Sequence, residues 1–151
     1  MKISQKGIDL IKSFEGLRLT AYKPVKTEKN WTIGYGHCSP CIREGMSITK
    51  ELAEKYLKED LQKFEDSVNS LLSDVFKKGL KINQNQFDAL VSFSYNVGLK
   101  NLANSTLLRK VKLGANNPAI RDEFMRWVYS GKTKLTGLER RRKAEADLYF
   151  S

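Results

Sequence analysis

Phe14-Glu15-Gly16-Leu17-Arg18-Leu19-Thr20-Ala21-Tyr22 and, after eight more residues, Trp31-Thr32-Ile33-Gly34-Tyr35-Gly36-His37 decide how this chain folds. The first stretch closes a helix over residues 4–15. Ser4 is suited to its N-cap, and Ile8, Ile11 and Glu15 fall at i, i+3 and i+7, with Leu10 and Phe14 as a second i, i+4 pair. Gly16 is a natural helix stop. Glu15 therefore lies in the last turn, in line with an apolar stripe, an odd place for a carboxylate. Leu17, Leu19 and Ala21 then alternate with Arg18, Thr20 and Tyr22 as in a strand, Pro24 to Asn30 is polar and turn-forming, and alternation resumes at Trp31. In an extended segment Trp31, Ile33 and Tyr35 share one face and leave Thr32, Gly34 and Gly36 on the other. Such a bare face points to close approach by a ligand or by another backbone.

Beyond this hairpin the chain turns helical. From Thr49, Leu57, Leu61, Phe64, Val68, Leu71 and Val75 recur at steps of 4, 3, 4, 3 and 4. Unbroken to Lys78, that helix is about 45 Å long and reads as a spine joining two lobes; the alternative is a break near Asn69-Ser70. Asn83 and Gln86 form a capping box ahead of Phe87, Leu90, Val91 and Ser94, and Gly98 ends that helix. Ser105 opens a short helix closed by Gly114. Asn117-Pro118 opens another, over 118–130, with Ile120, Phe124, Trp127 and Val128 on its apolar face. Thr136-Gly137-Leu138-Glu139 is a second capping box that launches a terminal helix to Tyr149. The expected architecture is mainly helical α+β in one domain, 1–151. It comprises a hairpin lobe (14–48), a connecting helix (49–78), and a helical lobe (80–151) that also takes the helix 4–14.

The composition fits a folded, strongly basic protein. Its 151 residues are 40% hydrophobic and carry 27 Lys+Arg against 17 Asp+Glu, a net +10. No apolar run approaches the ~18 residues of a membrane span, and Met1 to Phe14 lacks a continuous apolar signal core. The expectation is synthesis in the cytoplasm without a signal peptide and no stable membrane insertion. Two cysteines are too few for a disulfide scaffold. Positive charge suits polyanionic partners: nucleic acid, an anionic membrane surface, or acidic wall polymers. Only Arg140-Arg141-Arg142-Lys143 forms a tight basic cluster; elsewhere the pattern is that of a solvated surface.

Glu15 against the bare strand is the strongest chemical signal. A carboxylic acid in partly apolar surroundings has its charged form disfavoured and can hold the proton that a glycosidic oxygen needs, while Thr32 can hold a water. The competing reading is a plain ion pair of Glu15 with Lys12 or a distant arginine.

The two opening stretches closely resemble the phage-type lysozymes (endolysins, glycoside hydrolase family 24). The resemblance continues through Asn85-Gln86-Phe87-Asp88-Ala89-Leu90-Val91-Ser92-Phe93, Tyr95-Asn96-Val97-Gly98, Arg126-Trp127 and Gly137-Leu138-Glu139-Arg140-Arg141-Arg142, in family order across nearly the whole chain. It implies a lysozyme-like two-lobed fold with the substrate cleft at the lobe junction. The implied reaction is hydrolysis of the β-1,4 bond between N-acetylmuramic acid and N-acetylglucosamine in peptidoglycan, leading to cell lysis. It also implies that Glu15 and Thr32 are the catalytic pair. The family places an aspartate, or a cysteine, between them in the pattern E-x8-(D/C)-x5-T. Here 16 residues separate Glu15 from Thr32 instead of 14, and the slot falls on Pro24 counted from Glu15 or on Lys26 counted from Thr32. Three readings follow. Glu28 reaches the site from the loop; or Thr32 and a bound water suffice with Glu15, the favoured one; or the enzyme is a lytic transglycosylase that uses Glu15 alone and the muramic acid's own 6-hydroxyl.

Other residues carry weaker expectations. Tyr35, Asn96 and Ser105 are candidate substrate contacts, with helix capping as the competing role of Asn96 and Ser105. His37, Cys38 and Cys41 give three metal donors where a closed zinc site needs four, so no metal and no cofactor are expected. The two cysteines read as free thiols or a late-forming disulfide, and His37 as a residue that orients the hairpin. Trp127 reads as core. Arg141 or Arg142 is a candidate partner for Glu15. Other function classes are a peptidoglycan-binding pseudoenzyme and a basic DNA-binding module built on helices 106–113 and 118–130. The expected partners are peptidoglycan and a holin-type permeabiliser that releases a monomeric enzyme to the wall, with no nucleic acid.

Overall fold

Helix α1 (Gln5–Glu15) begins where Ser4 caps it: the Ser4 hydroxyl accepts from the Gly7 amide at 3.3 Å. The same serine is held by Asp88, whose carboxylate accepts from the Ser4 amide at 2.9 Å and from its hydroxyl. Asp88 is fully buried, so these bonds satisfy a carboxylate that water does not reach. Gly7 allows the approach, because a Cβ there would stand 2.6 Å from Ile3 Cγ1 and 2.8 Å from Asp88 Cγ.

The computed structural model describes all 151 residues and divides into two compact units, Ile11–Lys63 and Met1–Leu10 with Phe64–Ser151. The first unit takes in the last turn of α1 and the first part of α2 (Lys50–Lys77), and so extends beyond the 14–48 stretch expected for the hairpin lobe. Between these helices lies an antiparallel sheet in the order β1 (Arg18–Tyr22), β2 (Trp31–Gly34), β3 (His37–Ser39). The segment 46–48 adds to its edge: the Ala21 amide donates to Met46 at 2.8 Å and the Ile48 amide to Leu19 at 2.9 Å. Ile11, Ile33, Ala53, Leu57 and Leu61 are buried to within 1% and form the unit's core.

Alternation over 31–37 does not continue as one strand. Gly34-Tyr35-Gly36 forms a tight turn in which both glycines have positive φ, +70° and +93°, and Ile33 pairs across it with His37. Tyr35 therefore sits in the turn rather than on the Trp31–Ile33 face.

α2 is one helix of 28 residues, about 42 Å long, capped by Thr49, whose hydroxyl accepts from the Leu52 amide at 3.1 Å. It does not break at Asn69-Ser70. Asn69 donates back to the Glu65 carbonyl at 2.9 Å, which leaves the ladder intact.

In the second unit α3 (Gln84–Val97) is the buried centre. Every residue from Gln86 to Ser94 is buried, as expected of a helix surrounded on all sides. The predicted capping box is present: the Gln86 amide donates to Asn83 Oδ1 at 2.8 Å, and the Asn83 amide to Gln86 Oε1 at 3.0 Å. Around it lie α4 (Leu99–Ala103), which the spacing does not announce, α5 (Thr106–Leu113), α6 (Ile120–Met125) and α7 (Thr136–Tyr149). Phe93 meets Phe124 and Trp127 edge to face, each at 5.6 Å between ring centroids.

Two expected elements are corrected. The helix expected over 118–130 is only the six residues of α6. The Asn117 side chain accepts from the Ala119 amide at 3.0 Å in a turn before it, and the chain past Arg126 forms a small hairpin of β4 (Tyr129–Ser130) and β5 (Thr133–Lys134) with Gly131 at φ +60°. No long second helix remains for a helix-turn-helix reader, which removes the structural basis of the DNA-binding reading. Thr136 also makes no capping box: α7 starts after Leu135, without a side-chain cap.

Candidate active site

Glu15 is the final residue of α1. Gly16 follows at φ +70°, its amide donating to the Lys12 carbonyl at 3.3 Å, and the chain then enters β1. This left-handed turn sets Glu15, a half-buried residue, three residues ahead of the start of the strand. Arg18, the first residue of β1, pairs with Gly34, and Tyr22 with Thr32. Thr32 thus stands two residues, about 7 Å, along β2 from the pair nearest Glu15.

Gly34 is bare for the sake of a backbone. A Cβ there would lie 3.3 Å from Ala53 Cβ and 3.4 Å from Ala53 Cα, so α2 occupies the space in which a ligand was one of two options. The ligand option passes to the neighbouring positions. Tyr22, Thr32 and Cys38 are register partners in one row across the three strands, and all three line a pocket of about 500 Å³. Gly36, and Glu28 and Lys29 from the β1–β2 connection, also line it. Thr32 itself is 5% exposed.

His37 is fixed as expected of a hairpin-orienting residue. Its Nδ1 lies 2.9 and 3.0 Å from the two Asp60 oxygens, and its ring stacks on Tyr56 at 4.4 Å between centroids. Asp60 and Tyr56 belong to α2, so this contact pins β3 to the helix. Cys38 and Cys41 are exposed free thiols. On the sheet, Arg18 stacks over Tyr22 at 4.3 Å and Lys23 over Trp31 at 5.2 Å, which places positive charge beside the pocket.

The remaining candidates are dispersed. Tyr35 is 5% exposed, with the Lys12 ammonium 5.4 Å from its ring centroid. Asn96 is exposed at the end of α3; its carbonyl oxygen accepts from Arg142 at 2.7 Å, which leaves its two amide hydrogens to donate, and it does not cap the helix. Ser105 is the N-cap of α5. Its hydroxyl donates to Leu102 at 2.7 Å and accepts from the Leu108 amide at 3.0 Å, so the capping role accounts for it, although it also lines a pocket of about 290 Å³ with Trp127 and Glu123.

Arg141 and Arg142 meet a buried carboxylate in their own unit. Glu145, fully buried, lies 3.3 Å from Arg141 Nε and 2.7 Å from Arg142 Nε and accepts from Ser92 at 2.6 Å. Burial pushes the Glu145 carboxyl up and the Arg142 guanidinium down, against their mutual attraction.

Residue by residue, the chain matches the phage lysozyme family over positions 12–145. It belongs to that family. It is 48% identical over its full length to an endolysin of Bacillus phage B103 and covers 55% of that protein. The endolysin of Salmonella phage P22 is 40% identical, with 97% of both chains covered. Among solved structures, a variant of P22 lysozyme superposes with a TM-score of 0.84 at 39% identity over 100% of this chain and 99% of that one. The muramidase domain of SpmX from Asticaccaulis excentricus does so at 0.85 and 37% identity, over 99% and 98%. The mainly helical α+β fold with a small antiparallel sheet is therefore that of phage lysozymes. The chain spans about half the length of the Bacillus phage endolysins it matches.

Two features of the site were out of reach of the sequence. The row Tyr22–Thr32–Cys38 depends on strand register, which the Gly34-Tyr35-Gly36 turn sets, and the two glycines were the available signal. Asp60 lies 23 residues from His37, and nothing local announces that pair.

Proposed function

We propose that this phage lysozyme family member is a muramidase that hydrolyses the β-1,4 bond between N-acetylmuramic acid and N-acetylglucosamine in bacterial peptidoglycan, with Glu15 as general acid and Thr32 as holder of the attacking water. The observation that carries the proposal is the placement of Glu15 at the mouth of β1 with Thr32 buried in a pocket on the adjoining strand.

The reaction follows from the residues. Glu15 gives its proton to the bridging oxygen as the bond to the anomeric carbon of muramic acid lengthens, and positive charge builds on the ring. The Thr32 hydroxyl has both a donor and acceptors, and so holds a water without being consumed. Water adds at the anomeric carbon, and the departing sugar leaves with a free 4-hydroxyl. A lytic transglycosylase would need no water pocket on the strand, and Thr32 supports the hydrolytic reading.

Peptidoglycan is the proposed partner, and no nucleic acid is. The +10 charge favours accumulation on polyanionic wall polymers. No helix is long and apolar enough to cross a membrane. Synthesis in the cytoplasm, action on the wall after a holin-type permeabiliser opens the way, and work as a monomer complete the proposal.

The test is clearing of chloroform-permeabilised bacteria. Wild type lowers turbidity and Glu15→Gln does not. Wall binding without clearing by wild type would make the protein a glycan-binding pseudoenzyme instead.

A further inference from the structure

We infer that Glu28 is the catalytic base of this enzyme, the group that takes the proton of the attacking water. The inference rests on the muramidase reading above and supplies the second carboxylate that the sequence lacks at its usual place.

Four observations meet on this residue. Pro24 and Lys26, the positions the family spacing selects, have no carboxylate, and the interval from Glu15 to Thr32 is two residues longer than the family's. Glu28 lines the same pocket as Thr32, and it is the one carboxylate among the residues that do. Its backbone is fixed, because its amide donates to the Val25 carbonyl at 3.0 Å and closes a turn over 25–28. As a residue Glu28 is half-buried, although every residue from Pro24 to Thr27 is exposed. A solvated loop acid has no reason to be covered when its neighbours are not. The longer connection thus makes a turn whose last residue, rather than its first, returns to the sheet with an acid.

The step balances without any further reactant. The water oxygen forms its bond to the anomeric carbon on the face opposite the leaving sugar, and one water hydrogen passes to the Glu28 carboxylate. The bond to the bridging oxygen breaks with its electron pair on that oxygen, which takes the Glu15 proton. One water is consumed, and exchange with solvent returns both carboxyls to their starting forms. Attack from the opposite face inverts the centre, so the new reducing end is born as the α-anomer.

The experiment measures turnover on soluble, uncrosslinked glycan strands for wild type, Glu28→Gln, Glu28→Ala and Lys26→Ala, with thermal midpoints alongside. Both Glu28 variants are expected to keep the wild-type midpoint and KM while kcat falls by about 10²–10⁴. Lys26→Ala should stay within about twofold of wild type. Added azide should restore cleavage by Glu28→Ala and yield the α-glycosyl azide, an outcome that a merely structural residue would not give. Glu28→Gln at full kcat, a higher KM with kcat intact, or a folded Glu28→Ala that azide does not rescue would each overturn the assignment. Failure of wild type to cut the strands would instead overturn the muramidase reading itself.

Discussion

At Gly34 two constraints coincide: a φ of +70° and an Ala53 Cβ at 3.3 Å from where a side chain would begin. Gly34→Ala should cost about 1–3 kcal/mol, read as a lower urea midpoint at unchanged slope. Thr32→Val tests the opposite kind of residue. It keeps the branched shape in β2 but removes the hydroxyl, so kcat should drop about tenfold or more at similar KM in the folded variant. Glu15 was legible because a carboxylate in an apolar stripe breaks a helical pattern. The two explanations of the bare strand were not separable without coordinates, since a glycine says only that something comes close. At Gly34 that something is Ala53 of α2, whereas Gly36, two residues on, takes φ +93° and lines the pocket.

Among the elements α7 shows how a helix with little apolar periodicity is held. Arg141, Arg142 and Glu145 are buried together, and removing the carboxylate leaves two guanidiniums without their counter-charge. Glu145→Ala should therefore cost about 3–5 kcal/mol in chemical denaturation. On its outer side Asp147 pairs with Arg121 of α6 at 2.7 Å and Lys143 at 2.9 Å, and those hydrogen bonds hold its carboxyl below the usual range. A lowered folded-state pKa means stabilisation that is complete above the unfolded-state value and lost as pH falls through the folded one. Asp147→Asn should thus melt slightly lower than wild type at pH 7, by about 0.2–1 kcal/mol for so exposed a pair, and the two should converge in strong acid. Sequence pattern predicted α1, α2, α3 and α5 because caps and spacing agree there. It overextended α6 because Trp127 and Val128 continue the apolar spacing while the backbone has already turned into the β4–β5 hairpin. It placed a cap at Thr136 because a capping box is a local motif, and Leu135 starts the helix without one.

For the molecule as a whole, the +10 charge comes from basic residues scattered along the sequence, with Arg140-Arg141-Arg142-Lys143 the one tight cluster. On the proposed function, general attraction to a polyanion contributes to holding the wall, and salt should screen it as the Debye length shrinks from about 10 Å at 0.1 M to about 3 Å at 1 M. Co-sedimentation of the Glu15→Gln variant with purified wall sacculi should weaken steadily over that range, whereas binding indifferent to salt would assign retention to the pocket alone. The most direct measurement of the central claim is digestion of sacculi by the wild-type chain in heavy-oxygen water, followed by mass analysis of the released fragments. A water held against Thr32 and activated there predicts one heavy oxygen at the new reducing carbon of muramic acid for every bond cut, and no release by Glu15→Gln. Unlabelled fragments, each lighter by one water and closed as anhydro-muramyl ends, would show that the sugar's own hydroxyl is the nucleophile and would contradict the account.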